Sequence, residues 1–177
     1  MNNIALDKKL MFKALKEAKR GIPYVYPNPA VGCVIYDGSK ILSTGYHKKF
    51  GEIHAEHEAI KNLDEMIKGL TMYVSLEPCT HTGKTGACLD LIDPEVFERV
   101  VIAEKDPNSE ASGSIEKLKK RGIKVDLGLL KHEARKLNKR FYVFHEKKRP
   151  YVILKYASTL DGFIAQENGY SKWITNE

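Results

Sequence analysis

Two short segments constrain what this 177-residue chain can fold into: His54-Ala55-Glu56, and Pro78-Cys79 with a second cysteine, Cys88, after eight intervening residues. One imidazole and two thiols so far apart have a common purpose around a metal ion, so the fold must bring them to one point. His/Cys/Cys suits a catalytic zinc, which keeps its fourth position open for water, whereas a structural site usually closes with a fourth protein ligand. Glu56 sits two residues after His54, too close to be a separate ligand arm. It is expected to move protons for that water. His81, two residues after Cys79, is the obvious candidate to close the site instead. A closed site would leave Glu56 without purpose, so the open Zn2+ site of His54, Cys79 and Cys88 is favoured. Cys33, in the apolar run Val31-Gly32-Cys33-Val34-Ile35, reads as a core thiol.

Hydrophobic residues make up 42% of the chain, enough for a sizeable core. No apolar run reaches membrane-spanning length, and Met1-Asn2-Asn3-Ile4 lacks the start of a signal peptide, so a cytoplasmic protein is expected. An odd cysteine count argues against a disulfide framework. The net charge of +6 comes largely from basic residues in the later half, such as Lys136, Lys139, Arg140, Lys148 and Arg149. No aromatic interleaving accompanies them, so solvated helix faces are preferred to a nucleic-acid surface. A phosphorylated small substrate suits this basicity equally well.

Leu6, Leu10, Ala14 and Ala18 recur at helical spacing, with Asp7 placed to cap or charge the first turn and Gly21 as the stop. Pro23, Pro27 and Pro29 mark a loop. Residues 30–36 and 41–46, joined through Asp37-Gly38, predict a β-hairpin. Residues 54–63 predict a helix opening on His54, 71–76 a buried strand, and 88–92 a short helix. Next come a strand over 99–103, a helix over 114–120 and a strand over 123–127. A basic helix follows from about Leu130 to Phe141. His54 and Cys79 are both expected where a strand or loop hands over to a helix. This order predicts an α/β domain of three layers, α/β/α, with a central mixed sheet. Tyr151–Ala157 predicts a further strand, followed by a turn at Leu160-Asp161-Gly162.

His-x-Glu followed by Pro-Cys and a second Cys resembles the signature of zinc-dependent nucleobase deaminases, which use hydrolytic attack on an amine-bearing ring carbon. Most of these have two residues between the cysteines; here there are eight, Thr80–Ala87. With that insert the chain resembles the deaminase half of the bifunctional riboflavin-biosynthesis deaminase/reductase family. The resemblance rests on Pro27-Asn28-Pro29, Val31-Gly32, Gly45-Tyr46-His47, His54-Ala55-Glu56, Leu76–Thr85 with Cys88, and Asp106-Pro107-Asn108. Phe141, Arg149-Pro150, Leu154-Lys155 and Ser158–Gly162 extend it. It implies a cytidine-deaminase-like fold, and a substrate that is a diaminopyrimidinone carrying a phosphoribosylamino group. It also implies that Asn28 holds the pyrimidine edge, that His47, His81 and Lys84 line the pocket, and that Asp106 and Asn108 meet the ribose or phosphate end. Taken singly, Asn28 and Asp106-Pro107-Asn108 read as turn residues and His47 and Lys84 as ordinary polar positions.

The family often has two prolines before the second cysteine, where this chain has Gly86-Ala87. The family's reductase domain begins near Arg149-Pro150. Residues 1–147 are therefore expected to be the deaminase domain, and 148–177 a linker with the first strand and turn of a truncated reductase domain. NADPH is expected only in a longer parent, with Lys155 and Asp161 belonging to that site. A homo-oligomer is possible. The alternatives are a tRNA-adenosine or other nucleobase deaminase, or a non-catalytic zinc-stabilised binding module.

Overall fold

The computed structural model describes residues 3–81 and 86–172. The chain runs α1 (Ile4–Lys19), β1 (Gly32–Tyr36), β2 (Ile41–Tyr46), α2 (Ala55–Lys61), β3 (Leu70–Val74), α3 (Cys88–Leu91), β4 (Phe97–Ile102), α4 (Ser114–Lys120), β5 (Lys124–Leu127), α5 (Lys131–Leu137) and α6 (Lys139–Lys147). The five strands form one mixed sheet in the order β2-β1-β3-β4-β5. β1 pairs antiparallel with both β2 and β3, while β3, β4 and β5 run parallel.

The layering follows from strand periodicity. Alternate residues of a strand face opposite sides. Cys33, Ile35, Met72, Val74, Val100 and Ile102 pack with Ala55 and Ala59 of α2, Leu89 of α3 and Leu118 of α4. The intervening Val34, Tyr73 and Val101 pack with Leu10, Met11 and Ala14 of α1 and Ala134 of α5. A central strand buried on both faces reads as an unbroken apolar run, and all of β3 is buried. The predicted three-layer α/β/α mixed-sheet fold is thus the observed one, and Cys33 is a fully buried core thiol as expected.

Three local expectations change. Asn3, not Asp7, caps α1, its side chain accepting from Leu6 N at 3.2 Å. Asp7 is buried and serves the core, accepting from Arg99 at 2.9 and 2.8 Å and from the Tyr73 hydroxyl. The basic helix expected over 130–141 is two helices broken at Asn138. The Asn138 side chain turns inward to clamp the Ala30 peptide, accepting from its N at 2.8 Å and donating to its O at 2.9 Å. The strand expected over 151–157 does not form among the described residues. A strand needs a neighbouring ladder to satisfy its backbone, and this segment pairs with none of the five strands. Its side chains are exposed, Leu154 at 83%. The turn after it is present, with Gly162 at a φ of 91°.

The Arg99 hydrogen bonds hold the Asp7 carboxyl below the usual carboxylate range, against the opposing effect of burial. A carboxyl depressed in the fold contributes stability that is present above its unfolded pKa, near 3.9. That stability is lost as pH falls through the folded value. Asp7→Asn is expected to cost about 3 kcal/mol at neutral pH, because it leaves Arg99 short of a buried partner. It should also flatten the decline in stability below about pH 4. Denaturant unfolding at several pH values checks both, and a variant as stable as the parent at pH 7 contradicts the account.

Candidate active site

In an open α/β sheet, ligand sites lie beyond the carboxyl ends of the parallel strands. At that end the chain leaves β3 through Leu76, Glu77 and Cys79, and leaves β4 towards Asp106. Because β1 is antiparallel to β3, the loop entering β1, with Asn28 and Val31, arrives at the same end, as does the loop leaving β2, with His47 and His54. His47 N donates to Val31 O at 3.0 Å, joining the last two. Gly45 lets α2 sit close on β2, since a Cβ there would overlap Ala55 O and Ala59 N. This close approach carries His54 and Glu56 against the sheet end.

His54 is the N-cap residue of α2, and its side chain makes no capping bond. Its Nδ1 lies 3.3 Å from Cys88 Sγ and 3.5 Å from Cys79 Sγ. The three donor atoms lie within 4.8 Å of one another. Tetrahedral zinc with ordinary Zn–S and Zn–N bonds puts its N and S ligands about 3.5 Å apart. The donor set therefore fits zinc in both chemistry and spacing. Cys79 itself lies in a loop, contrary to expectation, and it is Cys88 that opens a helix, α3. Cys88 N donates to Cys79 Sγ at 3.4 Å. The Cys88 side chain, then His54, hold the Cys79 thiol below its ordinary pKa, while the shared hydrogen bond with Cys79 and burial push Cys88 up. Metal binding displaces both thiol protons. Among the described residues His81 does not join the cluster; it is exposed at the pocket rim.

Glu56 is 3% exposed, and burial raises its pKa to about 7. Glu56, His54 and Cys79 line a pocket of about 160 Å³. Asn28, His47, His81, Asp106 and Asn108 line the same pocket, so the fold gathers eight of the ten expected site residues on one cavity. Cys88 sits behind them in the donor cluster, and Lys84 lies outside the described residues.

Hydrogen bonds define the state of His47. Its Nδ1 lies 3.1 Å from Ile53 O, which can only accept, so Nδ1 carries the proton. Its Nε2 then accepts from Asn28 Nδ2 at 3.2 Å. Burial lowers the His47 pKa, consistent with this neutral ring. The same bond fixes the Asn28 amide with its Oδ1 left as an acceptor. Burial raises Asp106 to about 6, and its Oδ1 accepts from Asn108 N at 2.8 Å.

Some contributors were not expected. Glu77, 4% exposed, accepts from Gly113 N at 2.8 Å and Asp106 N at 3.2 Å, tying the Cys79 loop to the Asp106 loop. Its place in Leu76-Glu77-Pro78-Cys79 was the available signal. Leu76, Ala111 and Phe141 supply apolar wall, on which spacing in the sequence carries no information.

The family pattern described as the cytidine and deoxycytidylate deaminase zinc-binding region matches residues 4–104.

The chain belongs to the cytidine and deoxycytidylate deaminase family.

Within this deaminase family its relatives are specific. The riboflavin biosynthesis protein RibD of Aquifex aeolicus (strain VF5) is 47% identical over 97% of this chain and 49% of its own length. A crystal structure of a diaminohydroxyphosphoribosylaminopyrimidine deaminase/5-amino-6-(5-phosphoribosylamino)uracil reductase from Thermotoga maritima is 43% identical, covers 99% of this chain and 51% of its own, and superposes with a TM-score of 0.93. The chain thus spans about half the length of these two relatives. The diaminohydroxyphosphoribosylamino-pyrimidine deaminase of Buchnera aphidicola subsp. Schizaphis graminum is shorter: 44% identity extends over 77% of this chain and 93% of that protein. Residues 150–177 match the RibD C-terminal domain pattern. No helix among the described residues is long and apolar enough to cross a membrane.

Proposed function

We propose that this chain hydrolyses 2,5-diamino-6-(5-phosphoribosylamino)pyrimidin-4(3H)-one to 5-amino-6-(5-phosphoribosylamino)uracil and ammonia, a step of riboflavin biosynthesis. What carries the reading is the buried Glu56 carboxyl beside a His/Cys/Cys donor set, in a pocket of about 160 Å³. A cavity near 150 Å³ takes a single benzene-sized ring, so the space suits a pyrimidine.

His54, Cys79 and Cys88 would hold zinc. Bound zinc supplies Lewis-acid activation of a water as the nucleophile. The Glu56 carboxylate takes a proton from that water as the C–O bond forms at the amine-bearing carbon. It gives that proton to the ring nitrogen, then takes the remaining proton of the added hydroxyl and passes it to the amine, so that the C=O bond forms as the C–N bond breaks with neutral ammonia leaving. Asn28 Oδ1, held by His47, accepts from the pyrimidine edge, and His81 lines the entrance; Lys84 is assigned a substrate contact on the family resemblance alone. Asp106 and Asn108 meet the ribose. Residues 1–147 form the deaminase domain. Residues 148–177 are assigned to the start of a reductase domain, and NADPH chemistry to that domain.

Ammonia release from the phosphoribosylated diaminopyrimidinone, cytidine and an adenosine-bearing RNA stem-loop tests the substrate. Turnover of the first alone is expected. Deamination of the RNA but not the pyrimidine contradicts the reading.

A further inference from the structure

Next to the catalytic pocket runs a much larger groove, of about 1100 Å³, between the loop over residues 22–30 and α6. The two cavities share Asn28, Asn108 and Phe141 in their walls, so one opens beside the other. The groove's charge is one-sided. Lys136, Lys139, Arg140, Lys148 and Arg149 line it, and among the described residues no Asp or Glu does. Two other cations of α5 are different: Lys131 and Arg135 pair with Glu104, and Arg135 also with Glu146. Lys136, Lys139 and Arg140 have no such carboxylate partner among the described residues. Asn138 through Phe141, the first turn of α6, all line the groove, and a helix start adds partial positive charge where an anion would sit.

The small pocket, about 160 Å³ and open on one side, is close in size to a cavity that takes one benzene-sized ring. A phosphoribosylated substrate must therefore extend out of it past the shared wall. We propose that this groove is the subsite for the substrate's phosphate, with Lys139 and Arg140 as its principal contacts and Lys136 in support. This rests on the functional reading above and deepens it. The preference for a phosphorylated substrate then lies in α6, remote from the metal, and acts on binding more than on the chemical step.

Steady-state kinetics of the full chain, with the phosphorylated substrate and its dephosphorylated riboside, separate the possibilities. Lys139→Ala and Arg140→Ala are each expected to raise KM for the phosphorylated substrate about tenfold, the loss of one charge-assisted contact. The double variant should raise it about a hundredfold, with kcat little changed because uniform binding is lost. KM for the riboside should not move, and Arg140→Lys should restore much of the Arg140→Ala loss. Unchanged KM for the phosphorylated substrate overturns the assignment, as does an equal rise for both substrates. Loss of single-stranded RNA binding with KM intact also overturns it, making the groove a nucleic-acid surface. Calorimetric titration with ribose 5-phosphate reads the groove without catalysis. Binding by the parent that the double variant loses upholds the subsite even if the parent proves to deaminate something else. No binding by a parent that does deaminate the substrate counts against the subsite alone.

Discussion

Glu56→Gln is expected to reduce ammonia release by about 10²–10⁴-fold, the range for losing a positioned acid–base group. Bound zinc and thermal stability should stay near the parent's. The substitution keeps the shape and one acceptor oxygen of a side chain that is 3% exposed, so the packing at the start of α2 has no reason to shift. It removes only the capacity to take and return a proton. Glutamine also lacks the charge whose burial is costly, so a fall in stability is not expected. Activity within about tenfold of the parent, with zinc retained, would remove Glu56 from the mechanism and favour a non-catalytic zinc-stabilised module.

Cys88→Ser is expected to lose both metal and activity. The side chain changes little in size at a position 1% exposed, so packing is nearly preserved. A serine hydroxyl, however, does not ionise as a thiol does, and the donor triangle of His54, Cys79 and Cys88 becomes two donors. Zinc per chain after dialysis should fall from about one to near zero. Stability should fall by the binding free energy the metal contributes, about 4 kcal/mol for a site at a thousand times its Kd. Cys33→Ser provides the contrast: Cys33 lies in β1 outside the donor cluster, so zinc content should not change. Metal analysis and calorimetry on the two variants check this. Equal zinc in Cys88→Ser and the parent contradicts the ligand assignment.

The site was legible where chemistry demands particular residue types at particular separations. His54, Glu56, Cys79 and Cys88 carry that demand in their identity, and the fold brings them together at one sheet end. The layers were legible through periodicity, because β1, β3 and β4 alternate between two buried faces. Side chains with a choice of roles were not. Asp7 reads as a first-turn charge and Asn138 as one more polar position on a basic helix. Partners 92 and 108 residues away decide otherwise: Arg99 for the first, the Ala30 peptide for the second. The 151–157 segment has a strand's composition, but a strand exists only with a ladder beside it. Glu77 has the same lesson within the site, since its tie to Asp106 joins two loops that are distant in sequence.

The most direct test is to strip the chain of metal with a chelator and assay it with the phosphoribosylated diaminopyrimidinone before and after adding zinc. The expected result is loss of ammonia release on stripping, recovery at about one zinc per chain, and no recovery in Glu56→Gln carrying the same zinc. Undiminished release by the stripped chain, or none after zinc is restored, would contradict a zinc-dependent deaminase built on His54, Glu56, Cys79 and Cys88.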